Sequence, residues 1–296
     1  MKILNFGSLN IDHVYEVPYF PNPGETLSSI KYNSYPGGKG LNQSVAIAKA
    51  GSYVYHAGKI GENSELLVQA LQESGVDTTL LDHTGRVTGH AIIQVDESGD
   101  NCIIIHGGCN KEITKDYINH ILSILEEDDI LVLQNEINDL QLIVDMAIKK
   151  KLRIALNPSP MDESLRKINL SGITWLILNE IEGTALSGSK DPIEITNVLL
   201  EKYPQLKVVL TLGDKGAIYQ EKHLRYEQPI FPVPVKDTTA AGDTFTGYFI
   251  SMVASGFEVS TALKIAAKAA SLAVSREGAS SSIPTRDDVL TALYNG

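Results

Sequence analysis

Asp237-Thr238-Thr239-Ala240-Ala241-Gly242-Asp243-Thr244-Phe245-Thr246-Gly247 is the stretch on which the reading of this chain turns. A helix begins inside it: Ala241, Phe245, Tyr248, Phe249, Met252 and Val253 fall at i, i+4, i+7, i+8, i+11 and i+12, which is one apolar helical face. The first turn of that helix holds small residues, so a ligand can come close to the backbone. The free N–H groups of such a turn make a site for an anion. Asp243 sits beside these donors, where it either complements the helix dipole or acts as a base next to a bound phosphate. Two features favour chemistry. Ala-Ala-Gly is a poor choice for capping alone, and Asp237 supplies a second carboxylate a short way upstream. Paired acids near a phosphate suit a base and a cation ligand.

Outward from this helix the pattern alternates. Strands are expected at 3–6, 53–57, 130–134, 153–156, 175–178 and 207–211, and helices at 41–50, 63–73, 114–126, 139–150, 180–187, 192–202, 241–255, 258–275 and 286–294. A short hairpin, 216–219 with 224–227, interrupts the series. Strands and helices alternating at this spacing imply an α/β fold, a mostly parallel sheet with helices on both faces. Two β-rich insertions carry no helices of their own: residues 13–36, and 88–107, where a polar turn at Asp96–Asn101 separates two strands. They can pair into a small second sheet that lies as a lid over the carboxyl ends of the large one. No linker or repeat divides the 296 residues, so one domain is expected.

Composition excludes several classes. Lys and Arg total 25 against 36 Asp and Glu, a net charge of −11, so neither nucleic acid nor an anionic membrane is expected as a partner. An anionic substrate then requires a local positive patch or helix N-termini. With only Cys102 and Cys109 there is no disulfide framework and no CxxC metal spacing, and reduced thiols in a cytoplasmic protein are expected. The opening apolar run is too short for a signal peptide, and no run of 18 apolar residues occurs.

Four further stretches carry candidate chemistry. Gly37-Gly38-Lys39-Gly40-Leu41-Asn42 is either a flexible turn into a helix or bare backbone approaching a polyhydroxylated ligand, with Lys39 and Asn42 bonding to it. It is not a Walker A loop, and G-x-G-x-x-G is absent too. Gly7-Ser8-Leu9-Asn10-Ile11-Asp12 is a structural turn or a hydroxyl-recognition site at a strand end, since a carboxylate accepts from two OH groups. Asn179 and Glu182 form a capping box or stand near Mg²⁺ and phosphates. Thr211-Leu212-Gly213-Asp214-Lys215-Gly216 is a tight turn or the floor of a nucleotide site. Among the histidines only His106 lies near a suspected site, and Trp175 is expected in the core.

These five stretches, in this order and over nearly the whole chain, resemble the ribokinase-like sugar kinase family, together with Pro23-Gly24-Glu25-Thr26 and Asn157-Pro158. The resemblance implies a parallel sheet with a β lid, two copies clasped through their lids, and transfer of phosphate from ATP to the 5-hydroxyl of D-ribose. A kinase for another sugar or a nucleoside is the alternative within the family, and a sugar-binding regulator without catalysis is the one outside it. By carry-over Asp243 is the base, and the N–H groups of Ala240, Ala241 and Gly242 form the anion hole. Asn10, Asp12, Gly38, Lys39, Gly40, Asn42 and Glu136 hold the sugar. Asn179, Thr211, Gly213, Asp214, Gly216 and Gly242 line the nucleotide site, and Glu182 positions Mg²⁺ through water. An activating K⁺ lies between Asp237 and Thr239 on one side and Ala273, Arg276, Gly278 and Ser282 on the other. One departure is Ala267, where such kinases can carry a His against the adenine.

Overall fold

The structure is a computed structural model that describes residues 1–163, 165 and 168–294. Its spine is a nine-stranded sheet. β1 (Ile3–Phe6), β4 (Val54–Lys59), β8 (Ile130–Gln134), β9 (Arg153–Asn157), β10 (Trp175–Asn179) and β11 (Lys207–Thr211) run parallel. The antiparallel pair β12 (Ala217–Glu221) and β13 (Leu224–Gln228) closes one edge, and the two-residue β5 (Leu81–Asp82) closes the other. The spatial order is β13-β12-β11-β10-β9-β8-β1-β4-β5.

The central strands are apolar because both of their faces are covered. In β8, Ile130 and Val132 point into one core, shared with α1 (Lys39–Lys49), α2 (Glu65–Glu73), α7 (Ala241–Ala254), α8 (Val259–Val274) and α9 (Arg286–Tyr294). Leu131 and Leu133 point into the other, shared with α3 (Lys115–Ser123), α4 (Leu140–Lys149) and α6 (Pro192–Lys202). Local chemistry sets the helix starts. Thr114 caps α3, Asp191 caps α6 ahead of Pro192, and α5 (Glu180–Ser187) opens with a full Asn179/Glu182 capping box. Among the described residues no helix is long and apolar enough to cross a membrane, and both cysteines are free.

The two β-rich insertions join into a second sheet in the order β3-β2-β6-β7. β2 (Asn10–Glu16) pairs antiparallel with β3 (Lys31–Gly37) and parallel with β6 (Gly89–Val95), and β7 (Asn101–His106) completes the expected hairpin. The sheet starts at Asn10 and runs to Gly37, slightly beyond the expected 13–36. Asn10 and Asp12 therefore lie on a strand of the small sheet. Asn, Asp and Gly are weak strand formers, and it is the ladder to Gly37 and Gly89 that makes Asn10 a strand residue.

Three polar side chains interrupt the apolar face beneath α1: Asn5 in β1, His56 in β4 and Gln134 in β8, all fully buried. Asn5 stands opposite His56 and Val132, so Gln134, two residues beyond Val132, shares their face. Burial pushes the imidazole of His56 down from 6.5 to about 3, so it is neutral in the fold, paired through Nδ1 with Ser44 Oγ at 2.7 Å. In the unfolded chain it takes up a proton below about pH 6.5, so this group withdraws stability as pH falls from 6.5 toward 3. Asp12, raised to about 6, works the opposite way between pH 6 and its unfolded value of 3.8. Urea midpoints between pH 7 and pH 4.5 are expected to fall more steeply for the natural chain than for His56→Gln. Parallel slopes would contradict a neutral buried imidazole.

Candidate active site

The strands of a parallel sheet end along one edge, where ligands gather, and the stretches singled out above meet there. α7 starts from Ala240, whose φ of +58° lies in the left-handed region that alanine rarely adopts. The N–H groups of Gly242 and Asp243 find no acceptor among the described residues, and that of Ala241 reaches Thr238 O only at 3.3 Å. A Cβ at Gly242 would meet no protein atom, so the space before it is open.

That space belongs to a cleft of about 640 Å³. Asn179, Glu182, Thr211, Gly213, Asp214 and Gly216 line it together with residues 240–243 and Lys39. For Asn179 and Glu182 the capping box and the cleft wall prove to be one arrangement. Asn179 Oδ1 accepts from Glu182 N at 2.9 Å, and Glu182 Oε2 accepts from Asn179 N at 2.9 Å. One stretch of the remaining wall is apolar, made by Ile230, Phe231, Pro232, Val233 and Val235 with Ala267, Ala270 and Val274. Sequence reasoning assigned nothing to 230–235. The available signal was a run of apolar residues in a loop, with Ile230 and Val235 exposed. Free amides near one part of the cleft and apolar walls in another suit a ligand with phosphates and a flat ring system.

Asn10, Asp12, Gly38, Gly40, Asn42 and Glu136 form a second polar group, joined to the cleft through Lys39 and Asp243. Asp243 is buried. Its Oδ2 accepts from Asn42 Nδ2 at 3.1 Å and its Oδ1 from Gln43 Nε2 at 2.9 Å. Asn42 Oδ1 is buried with no partner among the described residues, an acceptor suited to a ligand hydroxyl. Glu136 Oε2 accepts from Lys39 N at 2.9 Å and from the Ser8 hydroxyl. Asn10 Oδ1 accepts from Asn110 Nδ2 at 2.8 Å, which turns the Asn10 amino group toward other acceptors. Burial, reinforced by the charge of Glu136, pushes Asp12 up to about 6. The Asp243 carboxylate holds the Lys39 ammonium above its ordinary value against its own burial, with Glu136 and Glu182 adding to the effect. Lys39, read from sequence as a sugar ligand, thus also faces the cleft. Gln43, Asn110, Gln134 and Ser8 were not read as site residues. For Gln43 and Gln134 the signal was polarity at positions that the helix and strand patterns assign to the interior, whereas Ser8 and Asn110 lie outside the expected elements.

The two segments expected to hold a monovalent cation are in contact. Asp237 Oδ1 accepts from Thr239 N at 2.8 Å and Oδ2 from Gly278 N at 3.0 Å. Burial works to raise Asp237, but the bonds from Thr239 and Gly278 outweigh it and hold the carboxyl below its usual range. Ser282 Oγ donates to Ala279 O at 2.8 Å, while the Arg276 guanidinium turns to Asp288 at 3.3 Å, so Arg276 can offer a cation only its carbonyl. Among the described residues no cluster of three or more His, Cys, Asp or Glu side chains is placed to hold a metal ion.

Residues 1–286 match the pfkB family of carbohydrate kinases. A ribokinase of Haemophilus influenzae is 34% identical over 297 residues, covering 97% of this chain and 96% of that one. The ribokinase structure from Thermotoga maritima superposes with a TM-score of 0.88 at 35% identity, covering 99% of each chain. The Arabidopsis thaliana ribokinase complexed with ribose and ATP superposes with a TM-score of 0.87 at 30% identity, covering 99% of this chain and 98% of that one. The chain belongs to the pfkB carbohydrate kinase family, and its known relatives place it with the ribokinases; its class of reaction is phosphoryl transfer to a sugar.

Gly40 and Gly38 show why this site needs glycine. Gly38 has φ +94°, and a Cβ at Gly40 would run into the backbone of Gly7 and Ser8. Gly40→Ala is expected to lower stability by about 1–3 kcal/mol, read from urea midpoints. An unchanged midpoint would contradict this backbone-to-backbone approach.

Proposed function

We propose that this chain transfers the γ-phosphoryl group of ATP to the 5-hydroxyl of D-ribose, with Asp243 as general base. The observation that carries the reading is that Asp243 belongs to both halves of the site: it borders the cleft beside the free amides and bonds directly to Asn42 of the second polar group. The likeness to ribokinases supports the choice of sugar.

Asp12, Asn42, Asn10 and Glu136 supply carboxylate oxygens and amides, the groups that read sugar hydroxyls. They orient the sugar so that its 5-hydroxyl meets Asp243. As the hydroxyl oxygen attacks the γ-phosphorus, its proton passes to Asp243, the bond from phosphorus to the β,γ-bridging oxygen breaks, and ADP leaves. The N–H groups of Ala240, Ala241 and Gly242 face the charge that grows on the phosphoryl oxygens, and Lys39 adds a positive charge.

Glu182, the buried carboxylate of the cleft wall, would hold Mg²⁺ through water, and the ion would supply positive charge to the phosphates. Asp237 with Thr239, and carbonyl or hydroxyl oxygens of Ala273, Arg276, Gly278 and Ser282, form the K⁺ site. Their contact at Asp237–Gly278 fits such a role, and a bound cation would tighten the segment leading into Ala240. The small sheet acts as lid, and two copies pair through it, where β7 exposes Ile103 and Ile105 on one face and Ile104 on the other.

ADP release from MgATP is expected to depend on D-ribose and to rise with K⁺ over a K⁺-free buffer. No release with ribose, but release with 2-deoxyribose, a ketohexose or a nucleoside, would move the substrate within the family. Ribose bound without ADP release would favour the regulator. A second expectation concerns pH. Asp12 is protonated below about pH 6 in the free protein and then accepts fewer hydroxyl bonds, so ribose affinity measured by calorimetry should weaken from pH 7 to pH 5. Equal affinity at both values would remove Asp12 from sugar binding.

A further inference from the structure

We propose that Gln43 and Gln134 form a positioning relay that orients the carboxylate of Asp243 from the interior of the protein. The inference rests on the kinase reading for the role of Asp243, and on geometry for everything else.

A side-chain amide has one end that donates and one that accepts. The chain of amides behind Asp243 has its polarity set at one end by a group with no choice. Gly40 O can only accept, and Asn5 Nδ2 donates to it at 2.7 Å. That turns Asn5 Oδ1 toward Gln134, whose Nε2 donates to it at 2.8 Å and, with its other hydrogen, to Gln43 Oε1 at 2.8 Å. Gln43 must therefore accept at its oxygen end, which leaves its amino group to donate to Asp243 Oδ1 at 2.9 Å. Asn5, Gln43 and Gln134 are all fully buried, so water does not compete for these bonds.

The arrangement is not the one that stability alone selects. Gln134 Oε1 is buried with no partner among the described residues, a cost that apolar side chains of the same size would avoid. The relay also spans separate elements: β1 through Asn5, β8 through Gln134, α1 through Gln43 and α7 through Asp243. Asn42 reaches the other oxygen of Asp243. The two donors together fix the plane of the carboxylate, and only one of them lies in the polar group that meets the sugar. Gln43 does not line the cleft and its side chain bonds to Asp243 and Gln134, so it acts through Asp243.

The test is a double-mutant cycle on turnover with Gln43→Met, Gln134→Met and the two combined, alongside KM for ribose and ATP and thermal unfolding. Each single change is expected to lower kcat by about 10-fold or more, with both KM values within about 3-fold. The pair is expected to lose no more than Gln43→Met alone, because Gln134 acts only through Gln43. Gln134→Asn keeps a neutral amide but shortens it away from Gln43 Oε1, and is expected to reproduce the loss should a methionine variant fail to fold. Losses that multiply, or kcat unchanged in folded variants, would overturn the relay while leaving the kinase reading intact. A natural chain inert toward every sugar and nucleoside would overturn both.

Discussion

Two hydrogen bonds, from Asn42 and Gln43 of one helix to the Asp243 carboxylate at the start of another, tie together the parts of this protein that must cooperate. α1 and α7 pack side by side on the same face of the sheet. Asn42 of the second polar group stands on the first helix, and the free amides stand at the first turn of the second. A shift of one helix against the other would break both bonds and separate Asn42 from the Asp243 carboxylate and the free amides beside it. Gly247, set against Ala46 and the backbone of Gln43 and Ile47, keeps the two helices at contact distance.

Charge has to be solved locally. The chain carries a net charge of −11, yet its family's reaction involves a polyanionic nucleotide. Among the described residues the positive elements that line the cleft are few: the amides of one helix turn and the Lys39 ammonium, whose pKa is raised by Asp243, Glu136 and Glu182. Lys39 is held protonated by those carboxylates, so its charge remains available when phosphates enter. The same crowding of acids raises Asp12, where burial and Glu136 act together.

Much of this was legible in the sequence, for reasons that differ from residue to residue. The parallel sheet followed from apolar runs spaced by helical periods, and α7 from its apolar stripe. The turn at Ala240–Asp243 stood out because small residues open an otherwise apolar helix. The small sheet was legible as β-rich stretches without helices, but its true ends were hidden, because Asn10 and Gly37 become strand residues only through pairing. Glu136 sits at its place because it bonds to the backbone of Lys39, a contact 97 residues away in the chain and invisible to local pattern. Asn110, Gln43 and Gln134 were missed for the same reason. A polar residue in an interior position announces that it has a partner, but not which one. The loop 230–235 showed only as apolar residues outside any element, and its role as a cleft wall appears once the chain is folded.

The account stands or falls on Asp243 as the group that takes the sugar proton. Asp243→Asn keeps the size of the side chain and removes its basicity. Calorimetry should find ribose and ATP bound by the folded variant nearly as well as by the natural chain, while ribose-dependent ADP release falls by about 10²–10⁴-fold. Near-normal turnover in that variant would contradict the assignment.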